Sequence, residues 1–415
     1  MARPRVRQDK KTRKWIVEYY DEDKKQHRLK GFPTKKAAND KAAEIDNEIR
    51  GGTHTPASTS GTFGEASDVW IERAELLNLE PETIRPYKNH CNIHLKPLTY
   101  TPSPERPDEK PAWAGKLGDL KLAKLKPPVA QAVQRELQRR LSPAMAKKVM
   151  SSFKAILDEA VNRKMIAYNP ASTVKIKRRD RGERKVYAGV DFPDKSEMAI
   201  IIGMMNGRWR AVIIVLGFCG VRSSEMRSLE WIDILDLDSE FSQLRVRQRA
   251  DNKGKVGDTK TDSAHRMIPL MPLAAHELRE WKNICPVDAE TGKLRFVFPN
   301  GNRIIENHSN ISNRGWKEWQ IKAGVCVPRR DNDGKVIRDE DGNPVMKAKY
   351  GVHALRHFFA SLMIDEGFNP KRVQSLLGHS TIKMTLDVYA HLFKPDHADD
   401  RVRFANAEAS VLAAK

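Results

Sequence analysis

The chain is 415 residues long, 40% hydrophobic, and carries a formal net charge of +20 at pH 7 with a pI near 9.7. That length exceeds one ordinary core, so two or three domains are expected, and the hydrophobic share excludes a disordered basic tail. The charge points to a polyanionic partner, with nucleic acid as the first candidate and an anionic membrane as the second.

The first stretch, MARPRVRQDKKTRKW, is charged without an apolar core, so it does not read as a signal peptide. Residues 1–50 hold 15 Lys and Arg against 9 Asp and Glu, a basic surplus that suits a small nucleic-acid-binding unit. Trp15 to Tyr20 alternates like a strand, Asp21 to Lys24 is a turn, and His27 to Phe32 is a returning strand. Thr34 is placed to cap a helix over 35–50, with Ala38, Ala42 and Ile45 on its apolar face and Gly51-Gly52 at its end. GGTHTPASTSG, residues 51–61, has the composition of a flexible linker.

A helical unit follows. Helices are expected over 63–77, 82–95, 127–141 and 142–164, with an exposed Pro-rich loop over 97–111. In the last helix Ser142 caps, Pro143 takes the first position, and Met145, Val149, Phe153, Ile156, Leu157 and Val161 form the stripe. Arg135, Arg139, Arg140, Lys147 and Lys148 on the other faces suit either a DNA face or plain solvation. KIKRRDRGERK, residues 175–185, is a charged connector and marks a domain boundary.

Beyond it the pattern is mixed. Helices are expected over 195–205, 210–218, 223–229 and 271–281, and strands over 231–235, 244–248, 265–270 and 294–298, giving a small antiparallel sheet beside helices. The apolar run Ala211 to Cys219 is too short to span a bilayer. Residues 328–348 hold two Asp-Gly turns and read as an inserted loop or hairpin without calcium-loop spacing. In the last stretch Asn369-Pro370 opens a helix that Gly378 ends, and Ser380 is placed to cap another running through Tyr389. Cys91, Cys219, Cys285 and Cys326 form no C-x-x-C pair, which disfavours a zinc site and suits a reducing cytosol.

The chemistry-bearing residues are few. Arg222 and Arg356 each offer a rigid donor fork that fits two phosphate oxygens. His353, three before Arg356, is placed to exchange a proton with a nucleophile, and His379 is a further donor. Tyr389 is a covalent nucleophile of weak intrinsic acidity, and Lys260, on a turn, is a proton source for a leaving oxygen. Each has a plainer reading: an arginine on a helix is usually a surface charge, and Tyr389 with Ile382 and Leu386 at helical spacing is usually core. His353 and His357 form a four-apart pair, but HALRH lacks the glutamate of a metalloprotease motif, so no metal is assigned.

The ordered set is more informative than its members. G-V-R-S-S-E at Arg222, T-K-T-x-S-x-x-R-x-I-P-L at Lys260, H-A-L-R-H at His353 and Arg356, L-L-G-H at His379 and T-L-D-V-Y at Tyr389 occur in that order. With these motifs, residues 186–392 resemble the catalytic domain of the tyrosine recombinases, the lambda-type phage integrase family. The resemblance implies a multidomain, mainly α protein with small antiparallel sheets (α+β). Residues 1–52 would be an arm-type DNA-binding domain of three strands and a helix, 62–176 a helical core-binding (SAM-like) domain, and 184–415 the catalytic domain with its insertion at 328–348.

It also implies a site-specific integrase acting on a prophage or other mobile element. Tyr389 would form a 3′-phosphotyrosyl link, Arg222 and Arg356 bind the phosphate, His353 and His379 support it, and Lys260 protonate the leaving 5′ oxygen. Glu225 would brace the site, and neither metal nor cofactor would be needed. Implied partners are double-stranded DNA attachment sites, a homotetramer on two duplexes, a host DNA-bending protein and an excision factor. The setting would be the bacterial cytoplasm, on the nucleoid when bound to DNA. The turn before Lys260 is long, with Lys253 and Lys255 nearby, and the insertion departs from a minimal catalytic domain. Supercoil relaxation by a type IB topoisomerase and a non-catalytic DNA-binding regulator are the competing functions.

Overall fold

A computed structural model describes residues 3–21, 24–56, 60–102, 110–175, 185–258, 264–331 and 333–393, with residues 404 and 409. The chain divides into two compact units, Met1–Asp180 and Arg181–Lys415.

In the first unit β1 (Arg5–Gln8), β2 (Trp15–Tyr20) and β3 (Gln26–Phe32) form an antiparallel sheet in the order β1-β2-β3. Its buried Val17 and Tyr19 pack with Ala38, Ala42, Ile45 and Ile49 of α1 (Lys35–Arg50). Thr34 caps α1 by accepting a hydrogen bond from the Ala37 amide. The linker expected to be flexible is fastened in its first half: His54 bonds Glu48 at 2.9 Å, and Thr55 Oγ1 accepts from the Ala167 amide at 3.1 Å. Composition predicts the solubility of such a segment but not the carboxylate waiting on the preceding helix.

The helical part contains α2 (Phe63–Leu76), α3 (Pro81–Asn89), α4 (Pro127–Arg140) and α5 (Pro143–Asn162). A reciprocal Thr62–Glu65 capping box starts α2, satisfying two of the amides that a helix start leaves open. α3 continues through a wider π turn, His90–Leu95, so the expected single helix changes pitch midway. Phe63, Leu95, Leu117, Leu137, Phe153 and Ile156 are fully buried together. After the Pro-rich loop the chain returns to this core through Trp113, Leu117, Leu120 and Leu122. Arg135, Lys147 and Lys148 are exposed, whereas Arg139 and Arg140 bond the buried Glu136 and are partly structural.

In the second unit α6 (Lys195–Met204), α7 (Gly207–Cys219), α8 (Ser223–Arg227), β4 (Ile234–Leu235), β5 (Gln243–Val246), β6 (Gln248–Ala250), β7 (Val256–Asp258), β8 (Arg266–Pro269) and α9 (Pro272–Ile284) follow in order. Then α10 (His308–Asn310) runs through a π turn, Ile311–Lys317, into α11 (Glu318–Lys322). After it come β9 (Cys326–Pro328), β10 (Met346–Ala348), α12 (Ala354–Asp365), α13 (Pro370–Leu377) and α14 (Ile382–Tyr389). α7 is buried on nearly every side, which explains its unbroken apolar run. No described helix is long and apolar enough to cross a membrane.

The sheet is antiparallel in the order β4-β5-β8, with β6 and β7 as a separate hairpin. Two expected strands are reduced. Residues 231–235 become a tight 3₁₀ turn and a two-residue β4, and 294–298 contribute only one bridge, Glu230 to Phe296. Their short apolar runs cannot by themselves distinguish strand from buried loop. The insertion is a β9–β10 hairpin extended by two turns, in which Arg330 and Arg338 close on the Gly334 and Gly342 carbonyls. α14 is capped by Thr381 rather than Ser380: Thr381 Oγ1 accepts from the Met384 amide, while the Ser380 hydroxyl turns to the Met384 sulfur. Its buried positions are Thr385 and Tyr389, with Ile382 and Leu386 exposed, so the aliphatic pair marks the outer face.

Candidate active site

Two left-handed helix caps build the walls of the site. Gly220 ends α7 at φ 60° and turns the chain into Arg222 at the start of α8. A Cβ at Gly220 would lie 2.2 Å from a ring carbon of Phe359 on α12, so only glycine allows α7 and α12 to close here. Gly378 ends α13 at φ 63°.

The end of α13 exposes three consecutive carbonyls, and a different arginine takes each. Arg266 Nε donates to Leu376 O at 2.7 Å, Arg356 Nη2 donates to Leu377 O, and Arg222 Nη2 donates to Gly378 O at 3.1 Å. Arg356 Nη1 also donates to Gly220 O at 2.6 Å, joining the two caps. Carbonyls at a helix C-terminus have no partner within the helix and favour cations, so they are natural seats for guanidinium groups.

Glu225 lies among these arginines, 3% exposed. It accepts from Arg222 Nη1 at 2.6 Å, from the Arg222 amide at 2.9 Å and from Arg266 Nη2 at 2.8 Å. Burial alone would raise its carboxyl; Arg266, then Arg222 and Arg356, hold it down at about 2. Arg356, itself 3% exposed, is pushed down to about 9 by burial and then by Arg222 and Arg266, against the opposing pull of Glu225. Among the described residues of this cluster three guanidiniums face one carboxylate, a local surplus of positive charge.

His379 follows Gly378 directly. Burial, then Arg356, Arg222 and Arg266, push its imidazole down to about 3, so it is neutral at ordinary pH. Its Nδ1 lies 2.9 Å from Thr385 Oγ1, and a Thr385 hydroxyl donating there leaves Nε2–H as the donor. Tyr389 is 2% exposed; burial raises its hydroxyl above the usual tyrosine range, and Arg356 opposes that rise. The hydroxyl lies 2.7 Å from His357 Nδ1. His353 is exposed at the N-cap of α12, its ring edge-on to that of His357 with centroids 5.0 Å apart.

The structure therefore brings Arg222, Glu225, Arg356 and His379 together, with Tyr389 facing the same cluster from α14. Lys260 lies outside the described residues. Sequence reasoning gave Arg266 no role and considered His357 only as half of a metal pair. Arg266 had a legible signal, because a charged residue at an inward position of the R-M-I-P strand needs a buried partner. His357 had none, since its partner is 32 residues away on another helix.

Residues 194–395 match the phage integrase family model. A XerC-like tyrosine recombinase of Caldanaerobacter subterraneus is 24% identical over 377 residues, covering 86% of each chain. The ICEBs1 integrase of Bacillus subtilis is 23% identical over 253 residues, covering 61% of this chain and 63% of that one. Among solved structures, the Tn1549 transposon integrase in complex with circular intermediate DNA superposes with a TM-score of 0.55 at 19% identity, over 84% of this chain and 99% of that one. A lambda integrase dimer bound to a core site superposes with a TM-score of 0.53 at 17% identity, over 94% of each. Residues 194–395 thus carry a phage integrase domain, and the relatives they resemble are tyrosine recombinases and integrases.

Proposed function

We propose that this chain is a site-specific integrase of a prophage or other mobile element, acting through a 3′-phosphotyrosyl intermediate on Tyr389. The observation that carries this reading is the convergence of Arg222, Arg266 and Arg356 on the end of α13 beside His379, with Tyr389 on the next helix. A phosphodiester carries one negative charge and its five-coordinate transition state about two. The arginine surplus is therefore best neutralised when that state forms, which is the condition for lowering a barrier.

In this mechanism Arg222 and Arg356 hold the non-bridging oxygens of the scissile phosphate. The neutral His379 donates a further hydrogen bond, and His353 lines the rim. The Tyr389 oxygen attacks phosphorus, the bond to the 5′ oxygen breaks, and Lys260 supplies the proton to that oxygen. The phosphotyrosine conserves the bond energy, so a 5′-hydroxyl from another duplex can reverse the step without ATP. Residues 1–52 serve as an arm-type DNA-binding domain, 62–176 as the core-binding domain and 184–415 as the catalytic domain. Four copies on two duplexes would exchange strands, assisted by a host DNA-bending protein and an excision factor.

The test is a nicked duplex built from the element's own end sequence, from which cleavage releases a short fragment and traps the adduct. The wild-type chain is expected to form a covalent 3′ complex. Tyr389→Phe is expected to bind the same duplex and trap none; an adduct from that variant refutes the nucleophile assignment.

A further inference from the structure

We infer that His357 is the base that takes the Tyr389 proton in cleavage and returns it in rejoining. The inference rests on the reading of Tyr389 as nucleophile and assigns its proton to a residue outside the motif residues given roles above.

The geometry is direct. The Tyr389 hydroxyl and His357 Nδ1 are 2.7 Å apart, within the range of a short O–H to nitrogen hydrogen bond. The rings meet at 61°, with centroids 5.7 Å apart. His357 is held on α12, one residue after Arg356, so the same turn of helix carries a phosphate clamp and the nucleophile's partner. Phe192 lies against the imidazole at 6.3 Å between centroids, and His353 lies edge-on to it at 5.0 Å. The ring is thus fixed by packing as well as by its hydrogen bond.

Tyr389 needs such a partner. Its side chain is buried on α14, where loss of water disfavours the phenolate, and Arg356 only partly opposes that cost. An imidazole bonded to the hydroxyl through an unprotonated Nδ1 can accept the proton as the oxygen–phosphorus bond forms. In cleavage the O–H bond of Tyr389 breaks and its proton moves to His357 Nδ1. The tyrosyl oxygen then bonds to phosphorus, and the departing 5′ oxygen takes its proton from the acid proposed above. In rejoining, the tyrosyl oxygen leaves phosphorus and recovers the proton from His357. No oxidant or further reactant enters.

The test uses the full chain on the nicked duplex. His357→Gln keeps a hydrogen-bonding side chain but cannot hold a proton. It is expected to bind the duplex as the wild type does and to form the adduct about 100-fold more slowly. Placing a fluorinated, more acidic tyrosine at position 389 is expected to restore at least about tenfold of that loss while changing the wild-type rate little. Cleavage by His357→Gln at or above the wild-type rate overturns the proposal, because the bond would then only restrain the tyrosine. Absence of rescue by the acidic tyrosine overturns it too, because the imidazole would then only position the ring. An adduct from Tyr389→Phe instead sinks the nucleophile reading itself, so the two failures are distinguishable.

Discussion

Replacing Glu225 by glutamine removes the one carboxylate that faces Arg222, Arg266 and Arg356 in the described cluster. Its folded-state value of about 2 lies below the ordinary 4.5. A shift of that size corresponds to about 3 kcal/mol of native-state stabilisation, in line with the general cost of leaving a buried ion pair half-filled. Because the folded value is depressed, the contribution is fully present above pH 4.5 and is lost as pH falls toward 2. The assay is urea unfolding of the wild type and Glu225→Gln, followed by the fluorescence of second-unit tryptophans such as Trp231 and Trp316. At pH 7 the variant is expected to be less stable by about 3 kcal/mol, and the gap is expected to narrow below pH 4.5. Equal stability at pH 7, or a gap that stays constant as pH falls below 4.5, would refute the view of Glu225 as the counter-charge of the site.

His379 gives a second acid-sensitive signal. Its folded value of about 3 lies below the ordinary 6.5, so the unfolded chain binds more protons between them and stability falls as pH drops from 6.5. His379→Gln should flatten that slope in unfolding measured between pH 6.5 and 4.5. Gly378→Ala places a side chain at φ 63° with its Cβ 2.9 Å from Arg266 Nη1. It should cost about 1–3 kcal/mol in unfolding experiments and slow adduct formation on the nicked duplex, since the end of α13 holds all three arginines.

The legible parts of the chain were those where one physical signal sufficed. Thr34 followed by helical apolar spacing predicted α1, and Ser142-Pro143 predicted the start of α5, because caps and stripes are local. Arg222, Arg356, His379 and Tyr389 came from the order of their motifs, through a family resemblance rather than a local signal, and the fold brings them close to one another. What escaped depended on distant partners. His54 lies in a stretch of linker composition but is held by Glu48, and His357, to which the sequence assigns no role, lies beside Tyr389. On α14 Ile382 and Leu386 lie on the outer face although they are more apolar than Thr385. Thr385 is nevertheless the buried residue, since its hydroxyl bonds His379.

The L-L-G-H stretch also acquires a different physical meaning. A sequence directs attention to its side chains, and His379 in particular. In the fold, the backbone of the three residues before the histidine contributes as much, because Leu376, Leu377 and Gly378 each offer a carbonyl to a different arginine. These carbonyls are free to do so because α13 stops there, and it stops there because glycine accepts the left-handed turn. The buried leucine side chains fix the end of the helix in the core, and its carbonyls fix the guanidiniums. Stability and the proposed phosphate binding therefore draw on the same bonds. Substitutions that loosen the α13 terminus should reduce both together, even where no arginine, histidine or tyrosine has been touched.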